Sequence, residues 1–95
     1  MAEELEKGQL VPEVEEETEV GLPFKVLLFN DDWHSFDEVI AQLKKALKCS
    51  FDLARDYAFE AHVKGKACIF TGVLEECLKI TSVLEEIALH TQIVS

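Results

Sequence analysis

Asn30-Asp31-Asp32 sets three acceptor-rich side chains in a row directly after the apolar run Phe24 to Phe29. Such residues are poor strand formers, so a strand should end there and leave polar groups at its tip. Three readings are open. Asn and Asp bond nearby backbone groups, and the cluster can be a plain turn. Asp31 and Asp32 with His34 and His62 offer oxygen and nitrogen donors to a metal, although no His-x-x-x-His pair or metal-loop spacing accompanies them. The third reading requires His62 to face Asn30 and Asp31. A protein's α-amino group is a compact ammonium with three donors. An Asn carbonyl, an Asp carboxylate and a neutral imidazole nitrogen would satisfy all three. His62 also has a plainer use, complementing the dipole of the helix on which it sits.

Catalytic patterns are missing. There is no Gly-x-Ser-x-Gly and no Cys-His motif, and the glycines (Gly8, Gly21, Gly65, Gly72) form no phosphate loop. Asp31 and Asp32 are neighbours in sequence, which does not place two carboxylates across a substrate. The expectation is a binding protein without cofactor or metal, not an enzyme.

The elements that must position these residues are legible as periodicity and punctuation. Phe24 to Asn30 reads as a short strand, apolar enough to be buried on both faces. Ser35 and Glu38 fit a capping box, and Phe36, Val39, Ile40, Leu43 and Leu47 follow at helical spacing. Lys44, Lys45 and Lys48 suit that helix's C-terminal end. Ser50 should cap a second helix with Leu53, Ala54, Tyr57, Ala58 and Ala61 inward, ending near Gly65 in a left-handed conformation. Lys66 to Phe70 reads as a strand, and Thr71 as the cap of a third helix. That helix's inner stripe would run Val73, Leu74, Cys77, Leu78, Val83, Leu84 and Ile87. Gln92 to Val94 closes the chain as a strand. The order β-α-α-β-α-β predicts an α+β fold, a three-stranded antiparallel sheet with three helices packed on one face.

Composition narrows the class. Ninety-five residues at net charge −10 make one small domain and exclude a nucleic-acid-backbone binder, which needs clustered Lys and Arg. Residues 1–20 hold eight glutamates against one lysine, so this stretch is expected to be a disordered acidic extension, with the domain at 21–95. Cys49, Cys68 and Cys77 sit in apolar contexts and read as small buried side chains in a reducing compartment. Neither a secretion signal nor a transit pattern is evident, and no apolar run has membrane-spanning length. A cytoplasmic protein that binds neither membrane nor nucleic acid is expected.

Pro23-Phe24-Lys25-Val26-Leu27-Leu28-Phe29-Asn30-Asp31-Asp32 resembles the opening strand and Asn-Asp-Asp motif of the ClpS family. His62-Val63-Lys64-Gly65-Lys66 resembles its His-x-x-Gly motif, and Phe70-Thr71 its strand-to-helix junction. The resemblance spans about residues 22–94. It implies an adaptor of the N-end rule, binding proteins whose free N-terminus is Leu, Phe, Tyr or Trp. Such adaptors deliver these substrates to the N-terminal domain of an AAA+ Clp unfoldase, of the ClpA or ClpC type, for degradation by ClpP. By position, Asn30, Asp31 and His62 would hold the α-amino group, and Asp32 would order the loop. Leu28, His34, Phe36, Ala58, Ala61 and Ile93 would line the hydrophobic pocket. The acidic extension would engage the unfoldase.

Several positions depart from the family pattern. His34 stands where Thr is usual, Phe36 where Met is frequent, Ala58 where Met is frequent, and Ala61 where Val is common. The lost bulk at Ala58 and Ala61 predicts a wider pocket that also admits Ile or Val. The usual Pro-Leu near the end is replaced by Thr91-Gln92-Ile93-Val94. Gly72 and Val73 replace charged residues on the expected docking surface. The alternative is a module of the same fold that interacts with proteins without reading N-terminal amines or delivering substrates, such as an anti-adaptor or stalk-like domain.

Overall fold

Phe24–Phe29 (β1) alternates between a covered and an open side: Val26 and Leu28 are fully buried, Lys25 is exposed, and Leu27 and Phe29 are half-buried. The strand is therefore covered on one face only, which corrects the expectation of two buried faces. The protein is described by a computed structural model, which covers residues 23–95. The expected disordered extension at 1–20 lies outside the described residues.

β1 is central. Lys66–Gly72 (β2) and Thr91–Val94 (β3) pair with it antiparallel on either side, giving the order β2-β1-β3. Val26 stands opposite Phe70 but Leu27 opposite Cys68, so Ile69 is an extra residue on β2, a bulge. Phe36–Leu47 (α1), Phe51–Lys64 (α2) and Leu74–Glu85 (α3) complete the expected order and architecture.

The caps explain where α1 and α2 begin and end. Ser35 Oγ accepts from Glu38 N–H at 3.1 Å while Glu38 Oε1 accepts from Ser35 N–H at 2.7 Å, the reciprocal box. Ser50 Oγ accepts from Leu53 N–H at 3.1 Å. Gly65 ends α2 at φ 89° with its N–H on the Ala61 carbonyl. A Cβ there would meet nothing within 4 Å, so the demand for glycine is conformational and not spatial.

Helix α3 departs from expectation. Its N-cap is Val73, without a side-chain cap bond, and Thr71 remains in β2. Its buried face is Cys77, Ile80, Thr81 and Leu84, whereas Val73, Leu74 and Leu78 are exposed. The stripe lies at 77, 80, 81 and 84 because α3 is rotated so that this face packs into the core. Its C-terminus closes with Leu89 N–H on the Leu84 carbonyl and Ala88 N–H on the Glu85 carbonyl. That double bond is a Schellman closure, and Ala88 takes the left-handed position at φ 61°.

Val26 and Leu28 meet Ile40 and Leu43 of α1, the small residues Ala54, Ala58 and Ala61 of α2, and Cys77, Ile80 and Leu84 of α3 in one core. Each large buried aliphatic side chain there stabilises the fold by about 1.5–3 kcal/mol. Two expectations are corrected in this region. Leu53 is exposed and outside the α2 inner face, and Cys68 is exposed on β2 while only Cys77 is fully buried. Alternation along β2 buries Ala67 and Ile69, which puts Cys68 on the open side of the sheet. Among the described residues, no helix is long and apolar enough to cross a membrane.

Candidate functional site

The tip of β1 is anchored twice through its backbone. Phe29 N–H donates to the His90 carbonyl at 3.0 Å, and Asn30 N–H donates to the Gly65 carbonyl at 2.9 Å. The second bond ties the Asn-Asp-Asp segment to the end of α2, one turn from His62. Ring stacking between Phe29 and His90, with centroids 4.7 Å apart, braces the other side.

Between these ends lies an open cavity of about 380 Å³, within the size range of ligand pockets. Asn30, Asp31, Asp32, His34 and His62 stand around it together with Leu28, Phe29, Phe36, Val39, Ala58, Ala61 and Leu89. Four elements thus meet: the β1 tip, the first turn of α1, the last two turns of α2, and the residue that closes α3. The lining combines acceptor groups from the β1 tip and α2 with aliphatic and aromatic carbon. That combination suits a ligand with a cationic donor next to an apolar group.

Of the residues singled out from sequence, Leu28, Asn30, Asp31, Asp32, His34, Phe36, Ala58, Ala61 and His62 surround this one cavity. Ile93 does not. It pairs opposite Val26 and packs against the core. Leu89 is there instead, a position the sequence does not advertise because the left-handed residue before it is Ala88 and not Gly. Val39 and Phe29 also line the cavity, although their spacing marked them only as core and strand residues.

Asp31 orders the loop, the task expected of Asp32. Its Oδ1 accepts from the backbone N–H groups of Trp33 at 3.0 Å and His34 at 3.1 Å. Its Oδ2 lies 2.8 Å from His34 Nδ1. Burial pushes the Asp31 carboxyl up, and the bonds from His34 and Trp33 outweigh it, leaving its pKa below the ordinary 3.8. Asp31 is thus a carboxylate with most of its lone pairs engaged. Among the described residues Asp32 makes no such bond, and it stays exposed. The weighed metal ligands Asp31, Asp32, His34 and His62 do not gather as a metal-holding group; among the described residues there is no cluster of three or more candidate ligands.

Residues 21–92 match the family described as ATP-dependent Clp protease adaptor protein ClpS. The E3 ubiquitin-protein ligase UBR1 of Drosophila melanogaster is 33% identical over 76 residues, covering 79% of this chain and 4% of the ligase. Mouse UBR1 is 31% identical over 90 residues, covering 95% of this chain and 5% of the ligase. The chain therefore spans about a twentieth of the length of these relatives. Among solved structures, Agrobacterium tumefaciens ClpS2 bound to L-phenylalaninamide superposes with a TM-score of 0.67 at 26% identity. That match covers 76% of this chain and 94% of ClpS2.

Proposed function

This chain belongs to the ClpS family of Clp protease adaptor proteins, and from that premise we propose that it captures the free N-terminal residue of substrate proteins. The apolar part of the cavity takes a bulky side chain, Leu, Phe, Tyr or Trp, and the acceptor part takes the α-ammonium. The observation that carries this reading is that Asn30 and His62, distant in sequence, line one cavity together with Leu28, Phe36, Ala58 and Ala61. The Asn30 carbonyl oxygen and an unprotonated His62 nitrogen accept two ammonium protons. Asp31, with one lone-pair direction of Oδ2 remaining, accepts the third or acts through its charge. L-Phenylalaninamide, the molecule bound to ClpS2, carries an α-amine beside a benzyl group, the same pair of features.

The energetics are modest and sufficient. Burying one large apolar side chain contributes about 1.5–3 kcal/mol and each charge-assisted hydrogen bond about 1.5–3 kcal/mol. After association costs, that supports micromolar to submicromolar binding. No bond is made or broken, so the protein acts as an adaptor. Delivery to the N-terminal domain of a ClpA- or ClpC-type unfoldase, in the cytoplasm, completes the proposal.

The direct test is binding of fluorescent peptides beginning with Phe, Leu, Ile, Val, Arg or Ala, each free and N-acetylated. Tight binding to bulky apolar termini that acetylation abolishes is expected. Equal affinity for free and acetylated peptides would remove the ammonium from the mechanism. Delivery is tested apart from capture, by degradation of a Phe-initiated reporter with ClpP and either unfoldase; capture without faster degradation leaves a recognition module that does not deliver.

A further inference from the structure

His34 is bonded on both sides of its ring. Nδ1 faces Asp31 Oδ2 at 2.8 Å, and Nε2 faces the backbone carbonyl of Ile87, 53 positions along the chain. Both partners accept, and only the imidazolium form of histidine has a donor on each nitrogen. The side chain is 13% exposed and that of Asp31 16%, so water does little to replace either bond. Ile87 lies in the turn after α3, where Ala88 is left-handed and Leu89 reaches the cavity. The ring therefore joins the loop that carries the acceptors to the turn that places part of the apolar wall.

We propose that His34 is a positioning residue of this pocket, a charged clamp that holds the Asn30–His34 loop against the Ile87–Leu89 turn and so fixes the acceptor wall relative to the apolar wall. This rests on the reading of the cavity as a site for a free N-terminus. It gives His34 a different part from the hydrophobic wall that its position implied.

A clamp of this kind has a pH dependence with a definite sign. Bonding to Asp31, partly opposed by desolvation, holds the ring's pKa above the ordinary 6.5. The two bonds are complete below that raised value, and one is lost as pH rises through it, because neutral imidazole donates from one nitrogen only. Other titratable or charged groups surround the ring. Asp32 shares its loop, Glu38 stands on α1, His62 faces the same cavity from α2, and His90 backs Phe29. Glu86 precedes Ile87 and is held by Lys45 at 2.7 Å. A competing effect has the opposite sign: removing the proton from His34 leaves Asp31 less neutralised and more attractive to an ammonium. The direction of the pH dependence separates the two.

The test compares the full chain with His34→Gln, which keeps a donor but cannot serve two acceptors. Affinity for a Leu-initiated fluorescent peptide is measured from pH 5.5 to 9. Titration of the peptide's own amine in solution enters both measurements and cancels in the ratio of Kd values. A variant at least tenfold weaker at pH 6, with the gap closing as pH rises, is expected. A ratio that does not change with pH, or one that grows with pH, overturns the clamp. Should the variant fail to fold, ring-nitrogen NMR of the ligand-free wild type decides. Both His34 nitrogens protonated at pH 6, with the Ala88 and Leu89 amides shifting as His34 titrates, is the expected result. A neutral ring at pH 6, or amides that ignore it, overturns the clamp. Wild type that binds no free N-terminus overturns the underlying site reading, and the pocket role of His34 with it, even with the NMR clamp intact.

Discussion

The backbone N–H of Asn30 donates to the carbonyl of Gly65 at 2.9 Å, so the ends of β1 and α2 are joined without using the side chain of Asn30 or of His62. The Asn30 side chain and the His62 ring line the cavity while main chain holds the two ends in place. Main-chain anchoring loses little conformational freedom when a ligand arrives, which favours affinity.

Asn30→Ala and His62→Ala should therefore leave folding nearly intact and weaken binding of a Phe-initiated peptide about ten- to a hundredfold, the loss of one charge-assisted hydrogen bond. Fluorescence anisotropy measures the affinity, and urea titration the stability. An unfolded Asn30→Ala protein would show that the side chain, and not the backbone bond, anchors the strand tip.

Ala58 and Ala61 are each 4% exposed and line the cavity, so bulk added there has nowhere else to go. Ala58→Met should lower affinity for Ile- and Val-initiated peptides about tenfold or more relative to Leu, restoring a narrower pocket. The wild-type chain should bind Leu- and Ile-initiated peptides with similar affinity. Strong rejection of Ile by the wild type would mean that Phe36 already refills the space.

Ala88 and Gly65 occupy the same left-handed backbone region with opposite suitability. Ala88→Gly should stabilise the fold by about 1 kcal/mol, raising Tm by about 4–8 °C, and Gly65→Ala should destabilise it by a similar amount. Differential scanning calorimetry reads both. A Tm unchanged by Ala88→Gly would show that the turn after α3 carries no left-handed penalty.

The His34–Asp31 pair should shape stability from both sides of neutrality. His34, raised in the folded state, stabilises fully below the unfolded value near 6.5 and loses that contribution as pH climbs through its folded pKa. Asp31, lowered in the folded state, stabilises above its unfolded value near 3.8 and loses that contribution as pH falls through its folded pKa. Urea midpoints from pH 3 to 9 should therefore fall at both ends, and Asp31→Asn should flatten both arms. An alkaline arm that persists in Asp31→Asn would assign it to another group.

The strands, the helix order and two of the three helix starts were readable because their signals are local. Ser35 with Glu38, and Ser50 with the Leu53 amide, act within one turn, and Gly65 needs only its own φ. Helix α3 misled because its start has no side-chain cap at all, and Thr71, a good cap by type, is claimed by pairing with Lys25. Leu53 and Leu78 looked like core residues by type, but the rotation of each helix against the sheet leaves them outside.

By itself the sequence determined an α+β domain with an acceptor cluster at the tip of its first strand, since alternation, helical spacing and capping are encoded within a few positions. It also supplied the residue types that an ammonium requires. Tertiary structure alone decided that Asn30 and His62 share a cavity, that Leu89 and not Ile93 completes its wall, and that His34 faces Ile87 across 53 positions. Each of those depends on the angle at which a helix or turn packs against the sheet. That angle is set by the shapes of many side chains at once, and no short run of residues contains it.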